Sequence, residues 1–307
     1  GSSRAEWLGF RALARLAGGR PREALADANA SMTTAPTPRA DRLRVRALLA
    51  LGRFESLRLS DPNALAALPL QGPSLRADLR RLADAPVPAM KQGARRSPEA
   101  LVGRLNRAVA LARLGRAREA VAEATAVVED APTNTRSRQA LAQILLACDR
   151  RPEASEEIER ALAIDPESPA LWVLRARLAI LSSDPNRALS DLERARSLGT
   201  DGSDYRATRA AAMLASGDPR QAVQEWTLAL GHDAEDPSAF LGRARAFLAS
   251  GQYDAAIADL EQAAAWAEGR LQLALPIALA YARCLPHRPA LWSRVHGLAR
   301  SAWTGRF

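Results

Sequence analysis

The 307-residue sequence predicts an all-α protein built from a repeated pair of helices. Apolar residues make up 48% of the chain, and much of this fraction is alanine, the residue with the highest helix propensity. Few segments alternate apolar and polar residues in the way that a half-buried strand requires. Small and apolar residues instead recur with a period of 34, which is typical of a solenoid made of stacked helical hairpins.

Two series of alanines mark the two helices of the repeat. Both run through six copies at a spacing of 34 residues, and each alanine of the first series precedes one of the second by 12. The first series is Ala108, Ala142, Ala176, Ala210, Ala244 and Ala278, and the second is Ala120, Ala154, Ala188, Ala222, Ala256 and Ala290. Apolar residues three, four or seven positions away place one apolar stripe on each helix. We predict that the alanines lie where paired helices touch, because small residues let helix axes approach closely.

A turn residue follows the first helix in five copies, and it is Gly115, Asp149, Ser183, Gly217 or Gly251. Three of these five are glycine, which favours turns that need a positive φ. The chain is therefore predicted to reverse direction at these residues.

Over residues 98–302 the copies resemble the tetratricopeptide repeat (TPR) family, most clearly in one copy. That copy reads Phe240-Leu-Gly-Arg-Ala244, followed by Phe247, Gly251-Gln-Tyr253, Ala256, Leu260 and Ala263. The resemblance implies a right-handed α-solenoid of 34-residue helix-turn-helix repeats, with a concave face lined by the first helix of each pair. It also implies a bacterial-type scaffold that binds proteins, rather than an enzyme.

The repeat pattern divides the chain into three expected segments. Residues 1–85 carry degenerate, basic TPR-like repeats, and residues 86–97 form an irregular connection that contains several prolines. Residues 98–302 form a regular array of six repeats, the last of them a degraded cap.

Two irregularities support this division. Ala24 and Ala120 occupy the same place in the repeat but lie 96 residues apart, which is not a multiple of 34, so the phase slips within residues 55–98. Pro286 and Pro289 bracket the turn of the last copy, as a terminal cap tolerates.

Charged residues follow the same period. An acid stands three residues beyond the second-helix alanine, at Asp27, Glu123, Glu157, Asp191, Glu225 and Asp259. An arginine stands directly before the first-helix alanine, at Arg11, Arg107, Arg175, Arg209 and Arg243, whereas the remaining copy has Leu141. We predict that each arginine pairs with the acid of the facing helix.

The face lined by the first helices is the predicted binding groove. Its candidate residues are Asn106, Val109, Gln139, Gln143, Val173, Arg177, Ala211, Leu241, Arg245 and Leu248, and Leu105, Ala207, Leu275 and Leu279 stand at comparable positions. An extended or helical segment with apolar anchors and one or two acids would fit this groove. The alternative is that these faces pack against neighbouring repeats or a C-terminal helix. Asn106 and Arg136 alone do not rebuild the clamp with which some TPR proteins hold the terminal carboxylate of chaperones.

The net charge of +9 belongs to the N-terminal third of the chain. Residues 1–96 hold 17 basic and 8 acidic residues, whereas the rest of the chain holds 26 of each. A candidate basic patch consists of Arg39, Arg42, Arg46, Arg76 and Arg80. These residues form either a solvated polar face or a contact for an acidic protein, an anionic membrane surface or a phosphate backbone. Aromatic residues do not interleave them as a single-strand platform would need.

The sequence contains no motif of a nucleophile with its base, of a phosphate-binding loop or of a metalloprotease helix. We therefore expect no catalytic, cofactor-binding or metal-binding residues, and no cofactor. No segment reaches the roughly 20 apolar residues of a membrane span. The expected compartment is the cytoplasm, or the periplasm if an N-terminal signal was removed, since Gly1-Ser2-Ser3 resembles residues left after tag cleavage.

Three functions are consistent with these features. The first is a non-catalytic scaffold that binds a protein or peptide. The second is a regulatory or substrate-recruiting arm of a larger multidomain enzyme, because the first repeat begins so near the start of the sequence that truncation is plausible. The third is a binder of nucleic acid or an anionic surface that acts through residues 1–96.

Overall fold

The computed structural model describes residues 2–17, 20–34, 38–50, 72–84, 97–232, 234, 236–267 and 271–304. Within these ranges the regular structure is entirely helical. The helices up to residue 166 are α1 Ser2–Ala17, α2 Pro21–Thr34, α3 Pro38–Ala50, α4 Gly72–Asp84, α5 Pro98–Arg113, α6 Ala117–Asp130, α7 Thr135–Ala147 and α8 Arg151–Ile164. Those that follow are α9 Pro169–Leu181, α10 Pro185–Ser197, α11 Ser203–Ala215, α12 Pro219–His232, α13 Pro237–Ala249, α14 Tyr253–Ala267, α15 Leu271–Cys284, the 3-10 helix Pro289–Leu291 and α16 Trp292–Thr304.

The described residues fall into two compact units, one ending at Pro166 and the other beginning at Glu167. In the first unit α1 packs on α2, α5 on α6 and α7 on α8, and α3 and α4 lie between the outer hairpins. The predicted connection over residues 86–97 lies outside the described residues except for Ser97, whose hydroxyl accepts a hydrogen bond from the Ala100 amide and so caps α5. The segment in which the repeat phase slips also lies largely outside them.

The second unit is a stack of four helical hairpins, α9–α10, α11–α12, α13–α14 and α15–α16. The first helices of successive hairpins also touch one another, α9 with α11, α11 with α13 and α13 with α15. These first helices therefore form a continuous row within the unit. This arrangement of stacked hairpins confirms the all-α solenoid predicted from the sequence.

The alanine series lie at the helix contacts, as predicted. Eleven of the twelve alanines are buried, with relative exposures of 0–2%. The exception is Ala290, which is exposed and lies in the 3-10 helix that precedes the second helix of the last copy, which starts only at Trp292. Ala290 thus departs from the series in the copy that the sequence predicts to be degraded.

All five predicted turn residues have a positive φ. The angle is 79° at Gly115, 57° at Asp149, 60° at Ser183, 90° at Gly217 and 73° at Gly251. Each follows the last helical residue closely, and the next amide hydrogen-bonds back to the helix, as Asp218 N does to Met213 O at 2.9 Å. The turn is thus the same in all five copies, although two copies place a residue with a Cβ atom in a conformation that favours glycine.

We expect the Ser183→Gly variant to gain about 0.5–1 kcal/mol in free energy of unfolding, and the Gly217→Ser variant to lose a similar amount. Ser183 is exposed, and a Cβ at Gly217 would meet open space, so the backbone conformation alone should decide both effects. Urea denaturation followed by circular dichroism measures the change. A shift of both variants in the same direction would contradict the prediction.

Gly242 is required by packing, whereas the turn glycines are favoured by their positive φ. Gly242 of α13 lies against the indole ring of Trp226 of α12, and a Cβ at residue 242 would overlap that ring. Trp226 is 8% exposed and packs in the core with Ala239 and Ala246 of α13. The glycine therefore makes room for the largest side chain of this core.

We expect Gly242→Ala to lower the free energy of unfolding by about 1–3 kcal/mol, because the indole or the helix must shift. Gly231→Ala is the control: it replaces another helical glycine of the same unit, at which a Cβ meets nothing within 4 Å. The control should be neutral or stabilising by up to about 1 kcal/mol. Equal losses in the two variants, measured by urea denaturation, would rule out the packing explanation.

Candidate protein-binding face

Arginine–carboxylate pairs join the two helices of the hairpins. All five pairs predicted from the repeat form, and the shortest N–O distance lies between 2.5 and 2.9 Å in each: Arg11–Asp27, Arg107–Glu123, Arg175–Asp191, Arg209–Glu225 and Arg243–Asp259. The pairs of Arg11, Arg175 and Arg243 are bidentate, with two guanidinium nitrogens on the two carboxylate oxygens.

The copy that lacks the arginine is completed by a residue one turn earlier. Arg138 stands three residues before Leu141, and its Nη1 donates to Glu157 at 2.6 Å. Arg104 and Arg206 occupy the same place in their own copies and join Glu123 and Glu225 at 3.0 and 2.9 Å. Residues three apart lie on one face of a helix, so either can reach the same acid. The prediction from the sequence covered only the position of Arg107 and its equivalents, so it missed this second arginine position.

All of the acids in these pairs except Glu123, which is half-buried, are buried. Asp27, Glu157, Asp191, Glu225 and Asp259 are 3–8% exposed. Hydrogen bonding to Arg11 is the main cause that lowers the pKa of Asp27, against an opposing effect of burial. These arginines therefore stabilise the hairpins and are not available to a partner.

We expect Asp191→Asn to lower the free energy of unfolding by about 1–3 kcal/mol, because Arg175 would lose its charged acceptor in a partly buried site. The control is Asp204→Asn, which breaks the more exposed pair with Arg177 and should cost about 0–1 kcal/mol. Chemical denaturation of both variants tests the difference. A loss at Asp204 as large as that at Asp191 would contradict it.

In the first unit, four predicted groove residues lie on α5 and α7. Asn106 is 2% exposed and thus largely closed to a partner. Val109, Gln139 and Gln143 are half-buried. These four positions therefore offer a partner little accessible surface and no charge.

In the second unit, the predicted groove residues differ sharply in exposure. Val173, Leu241 and Leu248 are 4–5% exposed and belong to the cores between hairpins, and Ala211 is half-buried. Arg177 is accessible, but its Nη2 already donates to Asp204 of α11. Arg245 is exposed.

Three accessible residues of α15 extend this face. Leu275, Leu279 and Arg283 follow one another at intervals of four and are all exposed, while Ile277 and Tyr281 between them are buried. The interval of four places the three side chains along one stripe. The prediction from the sequence placed the two leucines at positions comparable to the groove residues. It missed Arg283, although Arg283 follows Leu279 at the same interval of four residues.

Arg245 is exposed on this face and lies near Arg283. Its pKa is lowered, first because surrounding protein atoms desolvate the guanidinium and second because of the positive charge of Arg283. The two cations are thus close enough to repel each other.

The candidate basic patch of the N-terminal third is only partly described. Arg80 is exposed, and Arg46 is half-buried and already interacts within the protein. The side chains of Arg39, Arg42 and Arg76 lie outside the described residues. The patch therefore stays a prediction.

Two further properties concern the described residues alone. None of their helices is both long enough and apolar enough to cross a membrane. They contain no group of three His, Cys, Asp or Glu side chains placed to hold a metal ion.

The stacked hairpins, alanine contacts and positive-φ turns define an α-solenoid made of helix-turn-helix repeats. Residues 111–178 and 208–267 match models described as tetratricopeptide repeat. The chain is a tetratricopeptide repeat protein. A sequence search of curated proteins found no match.

Solved structures share this fold at low sequence identity. A TPR protein from Parabacteroides merdae aligns over 91% of this chain and 99% of its own, at 13% identity and a TM-score of 0.55. A thermophilic TPR protein from Thermus thermophilus aligns over 59% of this chain and 99% of its own, at 20% identity and a TM-score of 0.54. A chain of the APC/C hetero-tetramer Cut9–Hcn1 aligns over 96% of this chain and 55% of its own, at 15% identity and a TM-score of 0.55.

Proposed function

We propose that this protein is a non-catalytic scaffold that holds a protein or peptide on the face lined by the first helices. TPR proteins in general are interaction scaffolds without catalytic activity. The observation that carries the proposal is the pair of exposed leucines on α15, Leu275 at 50% and Leu279 at 60%. Two neighbouring leucines on one stripe form an apolar surface that a partner can cover, whereas single exposed leucines are ordinary.

The second helices offer less to a partner. Their acids are engaged by arginines of the first helices, and Leu228 of α12 is a single exposed leucine at 48%. The first-helix face of the second unit, by contrast, combines the exposed leucines of α15 with Arg245 and Arg283. Such a mixture of apolar anchors and polar groups suits recognition of an extended or helical segment.

A photo-crosslinking amino acid placed at Leu275 should capture a protein partner in cells that make the native chain, and the same group at Leu228 should not. The two leucines have nearly equal exposure, 50% and 48%, so they differ mainly in the helix that carries them. Crosslinked products are identified by mass spectrometry. Equal capture from both positions, or capture from Leu228 alone, would overturn the assignment of the binding face.

A further inference from the structure

Four side chains of the second unit form an exposed surface, which we call the α13–α15 patch: Arg245, Leu275, Leu279 and Arg283. Arg245 belongs to α13 and the other three to α15, and these two first helices pack against each other. Behind the patch, Leu241 and Leu248 share one core with Ile277, Tyr281 and Cys284. The patch is thus carried by two rigidly packed helices and not by a loop.

The apolar part of the patch has a defined length. Leu275 and Leu279 lie one helical turn apart, which corresponds to about 6 Å along the axis, and Arg283 lies about 6 Å further on. A partner that covers the leucines therefore places its next residues beside Arg283 and Arg245. Apolar and charged contacts would be made by the same short segment.

The two arginines of the patch lack an acidic partner among the described residues. Nearby arginines of the same unit have one: Arg177 pairs with Asp204, Arg288 with Asp254 at 2.7 Å and Arg294 with Glu261 at 2.6 Å. Arg177 and Asp204 are 27 residues apart, and the residue at the same distance from Arg245 is Gln272, which carries no charge.

Two exposed cations without an acidic partner in the described part of the chain create a region of positive potential. Protein atoms partly exclude water from Arg245, and Arg283 adds a second charge of the same sign. A carboxylate that approached this region could accept charge-assisted hydrogen bonds from both guanidiniums. The binding of an anion would also relieve the repulsion between the two arginines.

We propose that the α13–α15 patch binds an acidic segment of a partner protein that carries leucine-sized apolar side chains. This inference rests on the proposed scaffold function and specifies the chemistry of the partner. A carboxylate two residues from an apolar side chain in an extended segment, or four residues from it in a helix, spans the distance of about 6 Å between Leu279 and Arg283.

A nucleic acid fits this patch less well. Phosphates could meet the arginines, but the leucines would gain nothing from a hydrated sugar–phosphate backbone. The patch contains no aromatic ring on which a base could stack.

The test is a fluorescence-anisotropy titration of the full chain with the fluorescein-labelled, amidated peptide SEDLEDLLEDSG. Wild type should bind this probe, and Arg245→Glu combined with Arg283→Glu should weaken binding by about tenfold or more. Arg194→Glu combined with Arg220→Glu is the control, because it makes the same charge change on exposed arginines of α10 and α12. The control should change binding by less than about twofold, since rim charges remote from the contact act mainly through the overall field.

Three altered probes separate specific recognition from simple charge attraction. A peptide with serine in place of every leucine should lose most of its affinity, as should one with glutamine and asparagine in place of the acids. A peptide with lysine in place of the acids should bind more tightly to the Arg245→Glu, Arg283→Glu variant than to wild type. Thermal melting by circular dichroism checks that both double variants are folded.

The proposal is overturned if the acidic leucine peptide does not bind wild type, if the control variant loses as much affinity as the patch variant, or if the serine peptide binds equally well. It is also overturned if a labelled oligouridine binds more tightly than the peptide and shows the same dependence on Arg245 and Arg283. Capture by the crosslinker at Leu275 together with any of these results would leave the scaffold function in place and reject only the acidic partner.

Discussion

The close approach of paired helices at alanine contacts is the constraint on which the other features of this protein depend. Ala108 and Ala120, for example, have no exposed surface, and α5 and α6 pack against each other as a hairpin. At this separation an arginine of the first helix reaches an acid of the second, and the acid can be buried because it is neutralised there. In the last copy Ala290 is exposed, and Ile277 and Ser293 stand where the other copies have the arginine and the acid.

The arginines of this chain serve two different purposes, which net charge cannot separate. Some, such as Arg175 and Arg243, are internal ties between helices and contribute nothing to the field that a partner meets. Others, such as Arg245 and Arg283, face outward without an acid among the described residues. The second group belongs to residues 97–307, in which basic and acidic residues balance. A local lack of acids on one surface is therefore a better indication of where a partner binds than the excess of basic residues in the first 96 positions.

The sequence predicts the features that obey its period and misses those that depend on exposure. Helix pairs, turn residues and arginine–acid pairs recur with the repeat, so several copies reinforce each prediction. The position of Arg138 is shared only with Arg104 and Arg206, and the exposure of Arg283 belongs to one copy, so both become visible only when the helix faces are known. The division between the two units is similar: Pro132 and Pro166 each lie between two successive hairpins, yet the boundary between the units falls at Pro166. Nothing in the local composition distinguishes the two prolines.

The arginine ties also bear on how such arrays tolerate mutation. Glu123 is held by both Arg104 and Arg107, and Glu225 by both Arg206 and Arg209, whereas Glu157 has a tie from the facing helix through Arg138 alone. A repeat with two ties can lose either arginine in one step and keep its acid neutralised. The remaining arginine then stands three residues away from the position of the lost one. The sequence of the repeat changes in this way while its architecture is kept. Redundancy of this kind allows duplicated repeats to diverge through neutral substitutions. The same substitutions weaken the sequence period by which the repeats are recognised.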